Sequence, residues 1–291
     1  MNRECLLSVA VLLLHLTSYE TRSEAQNTPQ LQEIAAEHRA LGLRYYEAGE
    51  FEKAVEAFKR AVSLKPEYAE AHNDLGVTYS ALGLHHQAID SLRIAIFLRP
   101  AFAMAYCSLG SEYYQVRDLK KAIEVLQQAI RLMPDYALAF NNLGAAFSET
   151  GNTRQAIAAY EQAIRLRPTW AEAHRNLALA LYEADAHDRV LDHLHEAVSL
   201  KPDYFEAYNN LGVAYYKKRK YKEATDSFIQ AIKLNPNYVD AIYNVGVLRL
   251  TLKQREEAVV QYHKLKPLNP ELASVLYDGL YKGMILDLRN K

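Results

Sequence analysis

Residues 137–170 read ALAFNNLGAAFSETGNTRQAIAAYEQAIRLRPTW. Two apolar runs stand in this stretch, separated by Thr150-Gly151-Asn152 and closed by Pro168. In the first run Phe140, Leu143-Gly144 and Phe147 recur at steps of three and four, and in the second Ala156, Tyr160 and Ala163 do the same. Such steps put side chains on one face of an α-helix, whereas a strand needs strict alternation. Glycine just past a helical run supplies a left-handed cap. Proline cannot continue a helix and drives the residue before it out of helical geometry. The stretch therefore reads as helix, short turn, helix, stop, with each helix of roughly 13 residues about 20 Å long.

The pattern recurs along the chain. Pro66, Pro100, Pro134, Pro168, Pro202, Pro236 and Pro270 are each 34 residues apart. Counting back from them gives seven units, 35–68, 69–102, 103–136, 137–170, 171–204, 205–238 and 239–272. The eighth place is small (Gly42, Gly76, Gly110, Gly144, Ala178, Gly212, Gly246), and a Tyr, Phe or Leu stands three residues later in six of the units. In the second run of each unit a small residue at the twentieth place precedes a large one at the twenty-fourth, as in Ala54 and Phe58 or Ala224 and Phe228. Small residues let two helix backbones approach, and the large residue beside them fills the gap. A single helix pair cannot bury its apolar face, but stacked neighbours share one continuous core. The fifth unit departs with Ala178, Leu181 and Val190, so its helices are expected to sit slightly apart. The seventh departs with Val245, Arg249 and Leu265, as a terminal unit would.

Seven units in one register resemble the tetratricopeptide repeat (TPR) family, over residues 35–272. The resemblance implies an all-α fold, a right-handed superhelix or α-solenoid of helix–turn–helix units, with the first helices lining a concave groove. Thr28-Pro29 ahead of Leu31 reads as an N-cap with proline at the first helical position, so residues 26–34 extend the first helix. Residues 271–291, or 273–291 beyond the last full unit, are expected to form a capping helix and tail over the final core face.

The N-terminus suggests targeting. Arg3 precedes an apolar run from Leu6 to Leu16, and Ser23-Glu24-Ala25 offers small residues where a signal peptidase needs them. That run is too short to span a bilayer. Residues 1–25 are thus expected to be an export signal, placing the protein in a bacterial periplasm or outside the cell; an uncleaved membrane anchor and an unstructured leader are the other readings. After cleavage only Cys107 remains, so no disulfide is possible within one chain. Removing residues 1–25 leaves 32 basic and 32 acidic residues, and no basic excess offers an electrostatic footprint for nucleic acid. Lys217-Lys218-Arg219-Lys220 falls at a turn.

Chemistry is sparse. No phosphate-cradling glycine loop and no G-x-S-x-G elbow occurs. His187, His193 and His195 crowd one second helix, but zinc needs ligands three or four apart on one face, and His193 and His195 point different ways. His38, His72 and His174 share the fourth place of a unit with Tyr106, Phe140 and Tyr208, and read as packing substitutes. Neither a cofactor nor catalysis is expected, and the partner is a protein or peptide.

The groove carries the binding candidates. By the resemblance, the sixth place of each unit faces it, and there stand Asn142, Asn176, Asn210 and Asn244, one per unit. Asn141 and Asn209 flank this ladder from the fifth place, with Arg175; Tyr114, Tyr182 and Tyr216 share the same helices. A side-chain amide offers one donor group and one acceptor, as a backbone peptide unit requires. The ladder resembles that of the O-GlcNAc transferases, which grip substrates in extended form; their catalytic part has no counterpart here. The same asparagines could instead bond the neighbouring unit and serve the stack, and the competing function is a structural adaptor using the convex face or the ends of the solenoid.

Overall fold

The computed structural model describes residues 29–282 and 286–289; the expected export signal lies outside them. The described residues form fifteen α-helices and no strand. Each repeat supplies two. The first helices are α1 (Pro29–Glu47), α3 (Ala69–Ala81), α5 (Ala103–Gln115), α7 (Ala137–Glu149), α9 (Ala171–Glu183), α11 (Phe205–Lys217) and α13 (Val239–Thr251). The second helices are α2 (Phe51–Leu64), α4 (His85–Leu98), α6 (Leu119–Leu132), α8 (Thr153–Leu166), α10 (His187–Leu200), α12 (Tyr221–Leu234) and α14 (Arg255–Leu268), followed by α15 (Pro270–Lys282). The chain falls into two compact halves, one up to Asn142 and one from Leu143. Within each, a helix packs on its hairpin partner and on the next hairpin in line.

Local backbone geometry makes the hairpins. The fifteenth place of every repeat has positive φ, between 57° and 74°: Gly49, Gly83, Arg117, Gly151, Asp185, Arg219 and Lys253. This left-handed residue ends the first helix, and its N–H bonds back into the last turn, as Gly83 N does to Ser80 O at 2.9 Å. Three repeats use glycine there and four do not, so glycine is favoured by the turn without being required.

The core follows the repeat, with one correction to the packing read from sequence. The small residue at the eighth place is met by the large residue at the twenty-fourth, from the second helix of the same repeat. A methyl on Gly42 would lie 2.6 Å from the Phe58 ring, on Gly110 2.5 Å from Leu126, and on Gly144 2.7 Å from Tyr160. Phe58, Leu92, Leu126 and Phe228, which meet these glycines, are fully buried, as is Leu194 at the same place of the fifth repeat. Burial of one such side chain contributes roughly 1.5–3 kcal/mol. In the seventh repeat the nearest atoms to Gly246 belong to Leu276 of α15 instead. The ring of Tyr262, at the twenty-fourth place, lies 5.8 Å from that of Tyr277 on α15. α15 therefore completes a core that the last hairpin leaves open.

The capping helix begins one residue before the expected 271. Asn269 accepts a bond from Leu272 N at 2.9 Å, a side-chain N-cap, and Pro270 takes the first helical position. The proline that closes earlier repeats here opens a helix. That helix ends at Lys282, and Leu286–Arg289 have no regular secondary structure.

Candidate functional site

The first-helix face carries the ladder, and its side chains reach across repeats. A group at the fifth place of one repeat meets the sixth-place side chain of the next. Arg39 Nε donates to Asp74 Oδ2 at 2.6 Å, and Arg175 Nε to Asn210 Oδ1 at 2.8 Å. Asn244 Nδ2 donates to Asn209 Oδ1 at 2.8 Å, and Asn142 Nδ2 lies 3.8 Å from Cys107 Sγ. The partners are 35 residues apart in each case, one repeat plus one residue. These rungs bind repeat to repeat.

Part of the ladder is therefore engaged inside the protein, the stack-serving use that the sequence leaves open beside ligand contact. Asn209, Asn210 and Asn244 are buried, and the Arg175 guanidinium is engaged by Asn210. Asn142 and Asn176 are half-buried, and Asn141 is buried beside Asn142. Two of the predicted tyrosines turn toward their own hairpin. The Tyr182 ring lies 5.3 Å from that of His187, and Tyr216 lies 5.6 Å from Tyr221, each five residues on at the start of the second helix. Tyr216 OH also meets Thr251 Oγ1 at 2.8 Å. Tyr114 is half-buried.

The first half holds a recess of about 280 Å³ on this face, where Ser108, Ser111 and Cys107 leave space beside Asn142. Its floor holds Glu112, a buried carboxylate contacted by Ser80 Oγ and, at 2.9 Å, by His85 Nδ1. Burial pushes the Cys107 thiol up to about 11, with hydrogen bonds from Tyr136 and Asn142 opposing. A thiol held protonated at neutral pH is a poor nucleophile.

The histidines have structural partners. His72 Nε2 lies 2.9 Å from Pro66 O, and His174 Nε2 3.0 Å from Pro168 O. The fourth-place histidine thus satisfies the carbonyl of the proline that closed the repeat before it. His193 Nδ1 sits 3.1 Å from His174 Nδ1, and His195 Nε2 2.8 Å from Tyr215 OH. Among the described residues no three His, Cys, Asp or Glu converge on a metal position.

In the second half something lies on the ladder. Asn244 Oδ1 accepts from Arg289 N at 2.6 Å while Asn244 Nδ2 donates to Arg289 O at 2.6 Å. Asn209 Nδ2 donates to the same carbonyl at 3.2 Å. Arg289 Nε lies 2.6 Å from Asp240 Oδ1, an ion pair by proximity without an aligned N–H···O bond. Leu286 and Leu288 pack on the cluster around Ile242, Val247 and Leu276, and Leu288 also reaches the one around Val213 and Phe228. The expected capping helix and tail name none of these residues as groove contacts.

Family models described as TPR repeat match residues 42–83, 110–151 and 146–185, and models described as tetratricopeptide repeat match 69–102 and 205–238. A search of curated proteins gives no match. Among solved structures, a chain of the APC/C hetero-tetramer Cut9–Hcn1 is similar at 21% identity and TM-score 0.65, over 75% of this chain. This chain spans 45% of that one, and the likeness is one of fold. MamA is similar at 31% identity and TM-score 0.50, over 55% of this chain and 94% of its own. YrrB, described as a TPR protein with an unusual peptide-binding site, is similar at 22% identity and TM-score 0.53, over 69% and 99%.

Proposed function

We infer from one premise, that this chain belongs to the tetratricopeptide repeat family, how its repeats are used. They make a protein–protein interaction scaffold. We propose that its finer work is to hold an extended polypeptide along the first-helix face, in an exported protein whose signal is residues 1–25. No catalytic step is part of this proposal.

The observation that supports it is Asn244. Both groups of its amide engage the main chain of one residue, the N–H and C=O of Arg289. An amide used in this way recognises main chain and leaves side chains free to vary. Asn142 and Asn176 present the same chemistry at the same place of their repeats, half-buried. Bonds of this kind contribute roughly 0.5–1.5 kcal/mol each, so affinity must come from several repeats together with apolar contacts.

A second reading also has an observation behind it. Phe97 is 82% exposed and Ile94 43% exposed on the second helix α4, an apolar pair on the opposite kind of surface. A structural adaptor that docks through the second helices would use it.

One experiment separates the two. Immobilised 12-residue peptides would be probed with wild type, with Asn142→Ala/Asn176→Ala, and with Phe97→Asp. Loss of two amide contacts is expected to weaken peptide capture roughly tenfold, with melting followed alongside to separate the loss of the Asn142 rung, while Phe97→Asp leaves capture intact. Capture unaffected by the asparagine pair would remove the ladder from the mechanism. A partner complex lost only with Phe97→Asp would favour the adaptor.

A further inference from the structure

The C-terminal segment Leu286–Arg289 occupies the first-helix face as a ligand would. It has no regular secondary structure, and its exposure alternates: Leu286 is half-buried, Asp287 exposed and Leu288 half-buried. Each inward group has a receptor. Leu286 lies against Gly279 of α15, where a methyl would fall 2.5 Å from Leu286 Cδ1 and 3.1 Å from Leu250 Cδ1. Leu288 bridges the clusters of the sixth and seventh repeats. The Arg289 backbone is held by Asn244 and Asn209, and its side chain by Asp240, whose own side chain is only 14% exposed.

We propose that this segment is a tethered stand-in for the partner. The subsite formed by α11, α13 and α15 takes an extended peptide of the pattern apolar–any–apolar–basic, and the chain's own Leu-Asp-Leu-Arg covers that subsite until such a peptide displaces it. The inference rests on the reading of the first-helix face as a peptide site and names the peptide. Three features support exchange over permanent closure. The contact is made by four residues without regular secondary structure, not by a helix that carries its own backbone bonds. Asp287, between the two leucines, faces solvent, so the segment presents side chains on one side only. The groups that hold it, two amides and one carboxylate, are polar; left buried with no ligand they would be unsatisfied, so a replacement ligand must offer the same donors and acceptor. A basic residue at the fourth position meets Asp240, and this contact sets specificity, because the amides read only main chain.

Tethering holds the segment at a high local concentration, on the order of millimolar for a short link. A free peptide at micromolar concentration therefore competes poorly with the intact tail. The probe is a fluorescein-labelled peptide of residues 283–291, GMILDLRNK, titrated by fluorescence anisotropy into the full chain. Wild type is expected to bind weakly. Arg289→Glu, which sets like charges against Asp240 and loosens the tail, is expected to bind the peptide at least about tenfold more tightly. Asp240→Lys together with Arg289→Glu restores the internal pair and is expected to return binding to the wild-type level. In that double variant a probe carrying Glu at the Arg position outcompetes the original peptide. Thermal melts of all variants separate loosening from unfolding.

Arg289→Glu that melts as wild type and still does not bind the peptide would mean a permanent closure, and would overturn the inference. A wild-type dimer lost on Arg289→Glu would make a second copy the occupant, and would overturn it as well. The peptide array distinguishes the two levels of claim: array peptides captured while the tail peptide is not leaves the general peptide site standing and removes only this one. Failure of both removes both.

Discussion

At the scale of single residues, two positions decide more than their neighbours. The left-handed residue that ends each first helix is glycine in three repeats and Arg117, Asp185, Arg219 or Lys253 in the others. A side chain in that region costs roughly 1–2 kcal/mol, against a loss of about 0.5–1 kcal/mol for glycine's greater freedom in the unfolded chain. Arg117→Gly is therefore expected to stabilise by about 0.5–1 kcal/mol, seen as a higher midpoint in denaturant. The second position is the fourth-place histidine. Burial lowers the pKa of His72, with the bond to Pro66 O opposing. The unfolded chain, with an ordinary histidine near pH 6.5, then binds the proton more readily than the folded one. Stability is intact above that pH and falls as pH drops through the window below it. His193 acts in the same direction, its pKa lowered first by burial and then by His174. His72→Tyr, the residue found at this place in Tyr106 and Tyr208, is expected to flatten the fall in melting temperature between about pH 7 and 5; an unchanged slope would assign it to other groups.

At the scale of elements, the period was legible because helices obey local rules. Steps of three and four, the recurrent proline and the small residue at the eighth place all lie within one hairpin. That the asparagines could bond the neighbouring hairpin was legible, but the partner of each was not. Asn210 and Asn244 sit at the same place in sequence, but one accepts from Arg175 and the other donates to Asn209 while engaging Arg289. Which partner each finds depends on the fifth-place residue of the repeat before it, and sequence spacing alone does not say that the two meet. The Arg175–Asn210 bond is charge-assisted but half-open to water. A double-mutant cycle with Arg175→Ala and Asn210→Ala should yield a coupling of about 0.5–1.5 kcal/mol. Additive losses would mean that the rung contributes nothing to the stack.

At the scale of the molecule, stability in a repeat chain is close to a sum of hairpin terms and neighbour contacts. The last hairpin borrows its core from α15: Leu276 is fully buried and stands over Gly246. Leu276→Ala should cost about 2–5 kcal/mol, and the loss should stay local. Hydrogen exchange is expected to quicken in α13, α14 and α15 and to leave α1 to α6 unchanged. Quickening throughout the chain would show that the repeats unfold as one unit. The same variant removes the floor under Leu286 and Leu288, so it should free the tail together with the cap, whereas Arg289→Glu frees the tail alone.

The amino-acid sequence by itself determined the hairpin, its seven-fold recurrence and the small-against-large packing inside it, because each of these is a matter of helical period and chain stiffness over a few turns. Only the tertiary structure decided what the asparagines hold and what lies upon them. Asn244 meets Arg289 across 45 residues of chain, a return that also sets Leu286 against Gly279 of α15. A return of that kind is set by how the closing helix packs on the last core, which no local pattern of residues carries.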